Sequence, residues 1–370
     1  MASTAQLHSG PAALADPRPV EVSWFCPLCD DDYQYLGVPD PSLRSSFEHC
    51  RDILLKAESN GFANILCPSG YNLGIDSVTF AGGVAPLTDR MRLLVAVRCG
   101  EMYPPQLARQ MATLDRMLGG RLTINIISSD LPGAALPSGP RYQRTREAMR
   151  ILRALLDGRA IRHQGEFYDL DLEPPAVRTV SGRCPLMYFG GLSDDACNVA
   201  AEEADVFLMW PEPMDRVRSV LADMRQRADR FGRTLKFGYR VHMIVRETEA
   251  EARAAARTLV SKLDASVGEE IRRKSLDHAS EGVRRQAEMR DNAGDDGFIE
   301  DNLWTGIGRA RSGCGAAIVG DPDQAVAKLR AYMDLGIEAF ILSGYTHASE
   351  CDYVGRYVLP RLNVRALQSW

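Results

Sequence analysis

The chain has 370 residues, 45% apolar and 25% charged, which excludes wholesale disorder and a small disulfide-stapled module. Its 44 basic and 49 acidic residues leave a net charge of −5, which excludes a dedicated nucleic-acid binder but not an anionic small substrate held by a few local arginines. No run of about 18 uninterrupted apolar residues is present to span a bilayer. Residues 1–19, rich in Ala, Pro and Ser, read as a disordered leader without the basic-then-apolar pattern of a secretion signal, and a cytoplasmic protein is expected. Nine scattered cysteines suit reduced thiols rather than a disulfide framework.

In chain order, Val20–Cys26, Ala63–Pro68, Arg92–Arg98, Arg121–Ser128, Pro185–Gly191, Asp205–Trp210, Leu235–Val245 and Ala339–Ser343 are short apolar runs that predict strands covered on both faces. Helical patterns separate them. Leu107, Met111, Leu114 and Leu118 form one apolar stripe, as do Val326, Leu329 and Met333. Thr248 and Glu251 predict a capping box, and Asp321, Pro322 and Gly336 mark the start and stop of a further helix. Eight strands each followed by a helix predict an α/β fold, a (β/α)8 TIM barrel, over residues 20–364, with a tail at 365–370 and function at the carboxyl ends of the strands. A doubly wound open sheet is the alternative, but neither Gly-x-Gly-x-x-Gly nor a phosphate-binding P-loop is present. Two segments break the rhythm: Tyr142–Asp171, with a hairpin-like Gly165-Glu166-Phe167-Tyr168, and Val267–Gly315, long, charged and glycine-rich. The latter predicts a mobile lid over residues 267–315, before the last strand.

The strand ends carry the chemistry. Arg240 and His242, two apart on the seventh strand, share a face with Gly238 and can point into the barrel, where a guanidinium needs either an ion-pair partner or an anion to bind. Tyr345 and His347 end the eighth strand, with packing and catalysis both open for the phenol. Arg311 lies among glycines that would let it swing over an anion, or it is a solvated loop arginine. The Gly190-Gly191 turn and Ser193 can hold a phosphate, or Ser193 only caps a helix. Cys26 and Cys29 form a C-x-x-C with no second pair to complete a zinc site, and no metal is expected. Asp30, Asp31 and Asp32 read as a solvated turn.

The phrases Trp24-Phe-Cys-Pro27, Tyr35-Leu-Gly37, Ala112-Thr-Leu-Asp115-Arg116, Leu186-Met-Tyr-Phe-Gly-Gly191, Trp210-Pro-Glu-Pro213, Arg240-Val-His242-Met-Ile-Val-Arg-Glu-Thr248, Asn302-Leu-Trp304 and Ser343-Gly-Tyr345-Thr-His347 resemble the FMNH2-dependent alkanesulfonate monooxygenases, a branch of the bacterial-luciferase-like flavin monooxygenases. The likeness runs in order over roughly residues 20–364. It implies a luciferase-type barrel and a two-component system, in which an NAD(P)H-dependent flavin reductase supplies FMN as FMNH2 and O2 is cosubstrate. It further implies that a flavin peroxide desulfonates an anionic organosulfonate to an aldehyde plus sulfite, and that the protein is a homo-oligomer, dimer or tetramer. By this resemblance Arg240, His242, Arg311 and Tyr345 are catalytic, with Arg240 on the peroxy or sulfonate oxygens and His242 orienting or moving a proton. Trp210 and His347 line the substrate side. The flavin ring lies against Asn125 and Ile127, its phosphate near Tyr142, Gly191 and Ser193. Three departures stand out: Pro27-Leu28-Cys29 where the family reads Pro-Thr-His, Tyr71-Asn-Leu-Gly-Ile-Asp76 where it carries a cysteine, and Ile127-Ser128-Ser129 for Val-Thr-Gly. Cys29 and Tyr71 are therefore expected to reshape the substrate side away from a simple alkanesulfonate. Alternatives are a related monooxygenase oxidising a heteroatom or carbon of a biosynthetic intermediate, or a deazaflavin-dependent oxidoreductase; a non-catalytic flavin-binding partner would leave the Arg/His/Tyr set without a use.

Overall fold

The computed structural model describes residues 17–273 and 280–368. Most of the expected leader and residues 274–279 of the expected lid lie outside them. Numbering the barrel strands alone, β1 Pro19–Phe25, β2 Asn64–Cys67, β3 Arg92–Arg98, β4 Leu122–Ile127, β5 Met187–Phe189, β6 Val206–Met209, β7 Lys236–Val245 and β8 Ala339–Ser343 form the wall. Neighbours in this order pair in parallel, and β8 pairs with β1, Trp24 opposite Leu342, to close the ring. All eight strands fall where the apolar runs predict them.

The helical ends follow their local chemistry. Asp321 and Gln324 make a reciprocal capping box ahead of Pro322–Leu335, which Gly336 ends at a φ of 110°, open to glycine without strain. Thr248 and Glu251 do the same for Glu249–Leu259. Leu107, Met111, Leu114 and Leu118 are buried against the barrel. The expected hairpin is present as Ile161–Gln164 paired antiparallel with Asp169–Leu172. No described helix is long and apolar enough to cross a membrane.

Alternation along the strands fills the barrel in layers. At its floor Glu21 accepts hydrogen bonds from Asn64 Nδ2 (3.2 Å), the Tyr188 hydroxyl (2.6 Å) and the backbone N–H of Leu367 (2.9 Å). Leu367, in the segment expected as a tail, thus closes the floor, in one apolar cluster with Phe25, Leu66, Leu94 and Ile341. A satisfied polar network under an apolar layer leaves no open chemistry at this end, so the reactive groups belong at the opposite mouth.

The segment before β8 is more ordered than a lid of loops. It contains the helix Glu281–Asp291, an antiparallel ribbon of Phe298–Glu300 and Leu303–Trp304, and a strand, Ala317–Gly320, absent from the sequence-based set. That strand pairs in parallel with the upper half of β7, His242–Val245, whereas the lower half, Lys236–Tyr239, pairs with β6. Gln286 ties the helix to the barrel through the Pro211 carbonyl (2.6 Å) and the Gly315 N–H (3.1 Å).

Candidate active site

Arg240 and His242 face the barrel interior at its mouth, on the register that sets them beside Ile341 and Ser343 of β8. The Arg240 guanidinium lies over the Phe25 ring, 4.0 Å from its centroid. Its Nε is buried without a hydrogen-bond partner, and among the described residues no carboxylate pairs with it. The ion-pair alternative is thereby removed. A half-buried guanidinium without a counter-ion is able to bind an anion.

His242 is 1% exposed. Its Nε2 lies 3.2 Å from the Cys314 carbonyl, which only accepts, so Nε2 carries the proton. Nδ1 is then the acceptor for the Ser343 hydroxyl at 2.9 Å. Burial first, and then the Arg240 and His347 charges, hold its pKa well below the ordinary histidine value, so the ring is neutral. With both nitrogens committed inside the protein, His242 orients its neighbours, and of the two roles the resemblance implies, proton transfer loses its geometric basis.

A group whose pKa is lowered on folding gives stability that is present above its unfolded value and lost as pH falls below it. Relative to His242→Asn, the wild type is therefore expected to lose about 1.4 kcal/mol per pH unit below roughly pH 6.5. Urea unfolding of both proteins at pH 5.5 and 7.5 checks this, and a gap that does not change with pH would contradict a neutral buried ring. The comparison is needed because His49, whose pKa is raised by its hydrogen bond to Asp32, acts in the opposite sense.

Tyr345 stacks on His242 (5.4 Å between centroids) and meets His347 edge-on (5.1 Å). Burial pushes the Tyr345 phenol up, so it is protonated at neutral pH. Arg311 comes down from the insertion to pair with Asp30, and its guanidinium also touches the Cys29 thiol. Trp210, at the end of β6, lies beneath the same segment: a Cβ at Gly313 would sit 3.1 Å from its indole and one at Gly282 2.9 Å. Cys29 fills the space beside Gly70, where a Cβ would come within 2.8 Å of its own. Arg240, His242, Tyr345, His347, Arg311, Cys29 and Trp210 are thus brought to one mouth. Tyr71 stays apart on the rim, 67% exposed.

The aspartate run corrects the reading of a solvated turn. Asp30 and Asp32 are buried, and Asp31 accepts from the Ser45 N–H (2.9 Å). Asp32, wholly buried, accepts from the Tyr33 N–H (2.8 Å), the His347 N–H (2.9 Å) and His347 Nδ1 (2.9 Å). Consecutive carboxylates look like a water-facing run in one dimension; the chain bends so that each meets a different partner.

The groups expected around a flavin lie on the opposite wall. Asn125 and Ile127 alternate on β4 and keep partial exposure on the interior face, beside the small Ala96 of β3. A Cβ at Gly191 would stand 3.3 Å from the Tyr142 hydroxyl and 2.6 Å from Ala196 Cβ, so only glycine fits this turn. Ser193 caps the helix Asp194–Glu203 by accepting from the Ala196 N–H (3.3 Å), which leaves its own O–H free to donate. Arg98, missed by sequence reading, ends β3 on the interior parity of Leu94 and Ala96. It is 5% exposed, its Nε faces the Glu101 carboxylate at 3.2 Å, and one terminal nitrogen lacks a hydrogen-bond partner. A flat open wall, hydroxyl donors and a guanidinium with one terminal nitrogen still unpartnered fit a ring bearing a phosphate. Among the described residues no cluster of three His, Cys, Asp or Glu could hold a metal.

A sequence model of luciferase-like monooxygenases matches residues 20–339. A sulfoquinovose monooxygenase of Novosphingobium aromaticivorans is 62% identical over 350 residues, 93% of this chain and 97% of that protein. One from Agrobacterium fabrum is 52% identical over 96% of this chain and 93% of its own. Among solved structures, the EDTA monooxygenase of Chelativorans sp. BNC1 superposes with a TM-score of 0.73 over 94% of this chain and 96% of that one, at 15% identity, a likeness of fold alone.

Proposed function

The chain belongs to the luciferase-like monooxygenase family, and from that premise we propose that it is a two-component, FMNH2- and O2-dependent monooxygenase that cleaves the carbon–sulfur bond of a sugar sulfonate, sulfoquinovose or a close relative. The observation that carries this reading is Arg240, an interior guanidinium at the mouth with no carboxylate partner, in a chain 62% identical to a sulfoquinovose monooxygenase. The balanced reaction takes the organosulfonate, O2 and reduced flavin to an aldehyde, sulfite, oxidised flavin and water. One oxygen atom goes to the carbon and one to water.

Asn125, Ile127 and Gly191, with Tyr142, Ser193 and Arg98 as donors, would hold FMN, which supplies when bound the electrons that activate oxygen. Arg240 and Arg311 hold the sulfonate, and the guanidinium plane of each meets two of its oxygens at once. Arg311 exchanges Asp30 for this anion, and the short segment Ala310–Gly313 is the moving part of the expected lid, beside the helix Glu281–Asp291 that Gln286 ties to the barrel. Trp210 and the Phe25 ring exclude water, as an oxygen-activating centre requires. Cys29, narrower than the imidazole expected from the resemblance, leaves room for a polyol.

Sulfite release from sulfoquinovose, ethanesulfonate and octanesulfonate, with NAD(P)H, FMN, oxygen and a flavin reductase, tests the proposal. Sulfite is expected from the sugar sulfonate, with strict dependence on oxygen. Release only from the simple alkanesulfonates, or from none, would overturn it, and oxygen-independent turnover would favour deazaflavin chemistry.

A further inference from the structure

His347 opens the helix that follows the eighth strand, with one nitrogen engaged and the other without a partner. Its Nε2 is buried and has no hydrogen-bond partner, while Nδ1 lies 2.9 Å from Asp32. Asp32 is itself wholly buried, at 0% exposure. Burial alone would raise its pKa, but the charge of His347 and the hydrogen bonds from His347 and His49 outweigh this and hold it well below the carboxylate range, so it is ionised. An ionised carboxylate only accepts. Nδ1 must therefore carry a proton, and whenever the ring is neutral its lone pair is on Nε2.

The surroundings of Nε2 set what that lone pair can do. The Tyr345 ring stands edge-on to the imidazole, and Phe25, with Arg240 over it, stacks on its other side at 5.7 Å. His242 is neutral with both nitrogens occupied, and the Tyr345 phenol is protonated. Arg311 is paired with Asp30, and Glu350, buried behind Asp32, is paired with Arg246 (2.9 Å). On the far side of the same carboxylate, His49 Nε2 lies 3.4 Å from Asp32, with the His49 side chain 17% exposed. Of the titratable side chains at the mouth, His347 has a free lone pair and a counter-ion already in place for the charge that proton uptake creates.

We propose that Asp32 is a positioning residue that fixes His347 as the Nδ1–H tautomer, making His347 Nε2 the proton acceptor of the active site. The proposal rests on the monooxygenase reading only for the identity of the proton's donor; the tautomer belongs to the folded protein itself. The signal is hidden in sequence because Asp32, His49 and His347 are brought together only by the loop after β1, the helix Phe47–Asn60 and the helix beginning at His347.

The test is nitrogen NMR of histidine-15N-labelled, flavin-free protein, with assignment by His347→Gln. The expected pattern of the neutral ring of His347 in the wild type is Nδ1–H. Asp32→Asn, which keeps the volume but removes the charge, is expected to shift it to Nε2–H and to lower kcat with KM little changed. His49→Gln, which leaves the contact between Asp32 and His347 in place, is expected to keep the Nδ1–H pattern. A His347 ring with its single proton on Nε2 in the wild type, or an unchanged tautomer in Asp32→Asn, would overturn the proposal. If the tautomer behaves as expected but no sulfite forms, the positioning stands and the sulfonate reading falls.

Discussion

Replacing Arg240 with alanine is expected to lower kcat/KM for the sugar sulfonate on the order of 10³-fold, the scale seen when a preorganised donor is taken from a water-poor site. The guanidinium lies against Phe25 with an unpartnered Nε and, among the described residues, no carboxylate paired with it, so its removal takes the counter-charge from a bound anion without breaking an ion pair there. Folding should be spared for the same reason. Arg240→Lys is expected to recover less than about tenfold, because an ammonium cannot lie flat on Phe25 and present two parallel N–H groups. Steady-state sulfite release with reductase in excess measures both variants, and a thermal transition near that of the wild type is the control. Near-normal kcat/KM in Arg240→Ala would move anion recognition to Arg311 or Arg98.

Gly191→Ala should act on the opposite wall. Its φ of 154° and the 2.6 Å approach to Ala196 Cβ leave no place for a methyl group, so the turn must shift beside the Tyr142 hydroxyl. Strain of roughly 1–3 kcal/mol placed there corresponds to about 5- to 150-fold weaker flavin binding. Fluorescence titration with FMN reads the loss. Gly139→Ala, at a position where a Cβ meets nothing within 4 Å, is the control. Unchanged affinity in Gly191→Ala would remove this turn from the phosphate site.

The barrel was legible because parallel strands covered on both faces are written as uninterrupted apolar runs, and capping residues such as Asp321 and Thr248 announce themselves locally. The pairing of Arg240 with His242 on one interior face followed from the two-residue period of a strand. Three features were not legible, each for a physical reason. Ala317–Gly320 is four residues long and borrows its partner from β7, so it carries no pattern distinguishing it from a loop. Asp32 looked solvated because burial of a carboxylate depends on donors more than 300 positions away in the chain, at His347. Arg98 was visible by parity with Leu94 and Ala96, but an arginine ending a strand reads as a surface residue until the barrel closes around it.

The divided pairing of β7 bears on how such enzymes can be recombined. Because the strand leaves β6 at Tyr239 and joins Ala317–Gly320 from His242 onward, the seam between two sheet neighbours runs through Arg240 itself. A chimera that exchanged only residues 267–315 with a relative would set a foreign ribbon strand at Leu303–Trp304 against the native strand Ala317–Gly320 that pairs with β7. A transplantable block instead begins below Gly238 and runs through Gly320, carrying Arg240, His242 and Arg311 together. Substrate range in this scaffold is therefore inherited as a module that includes part of the wall.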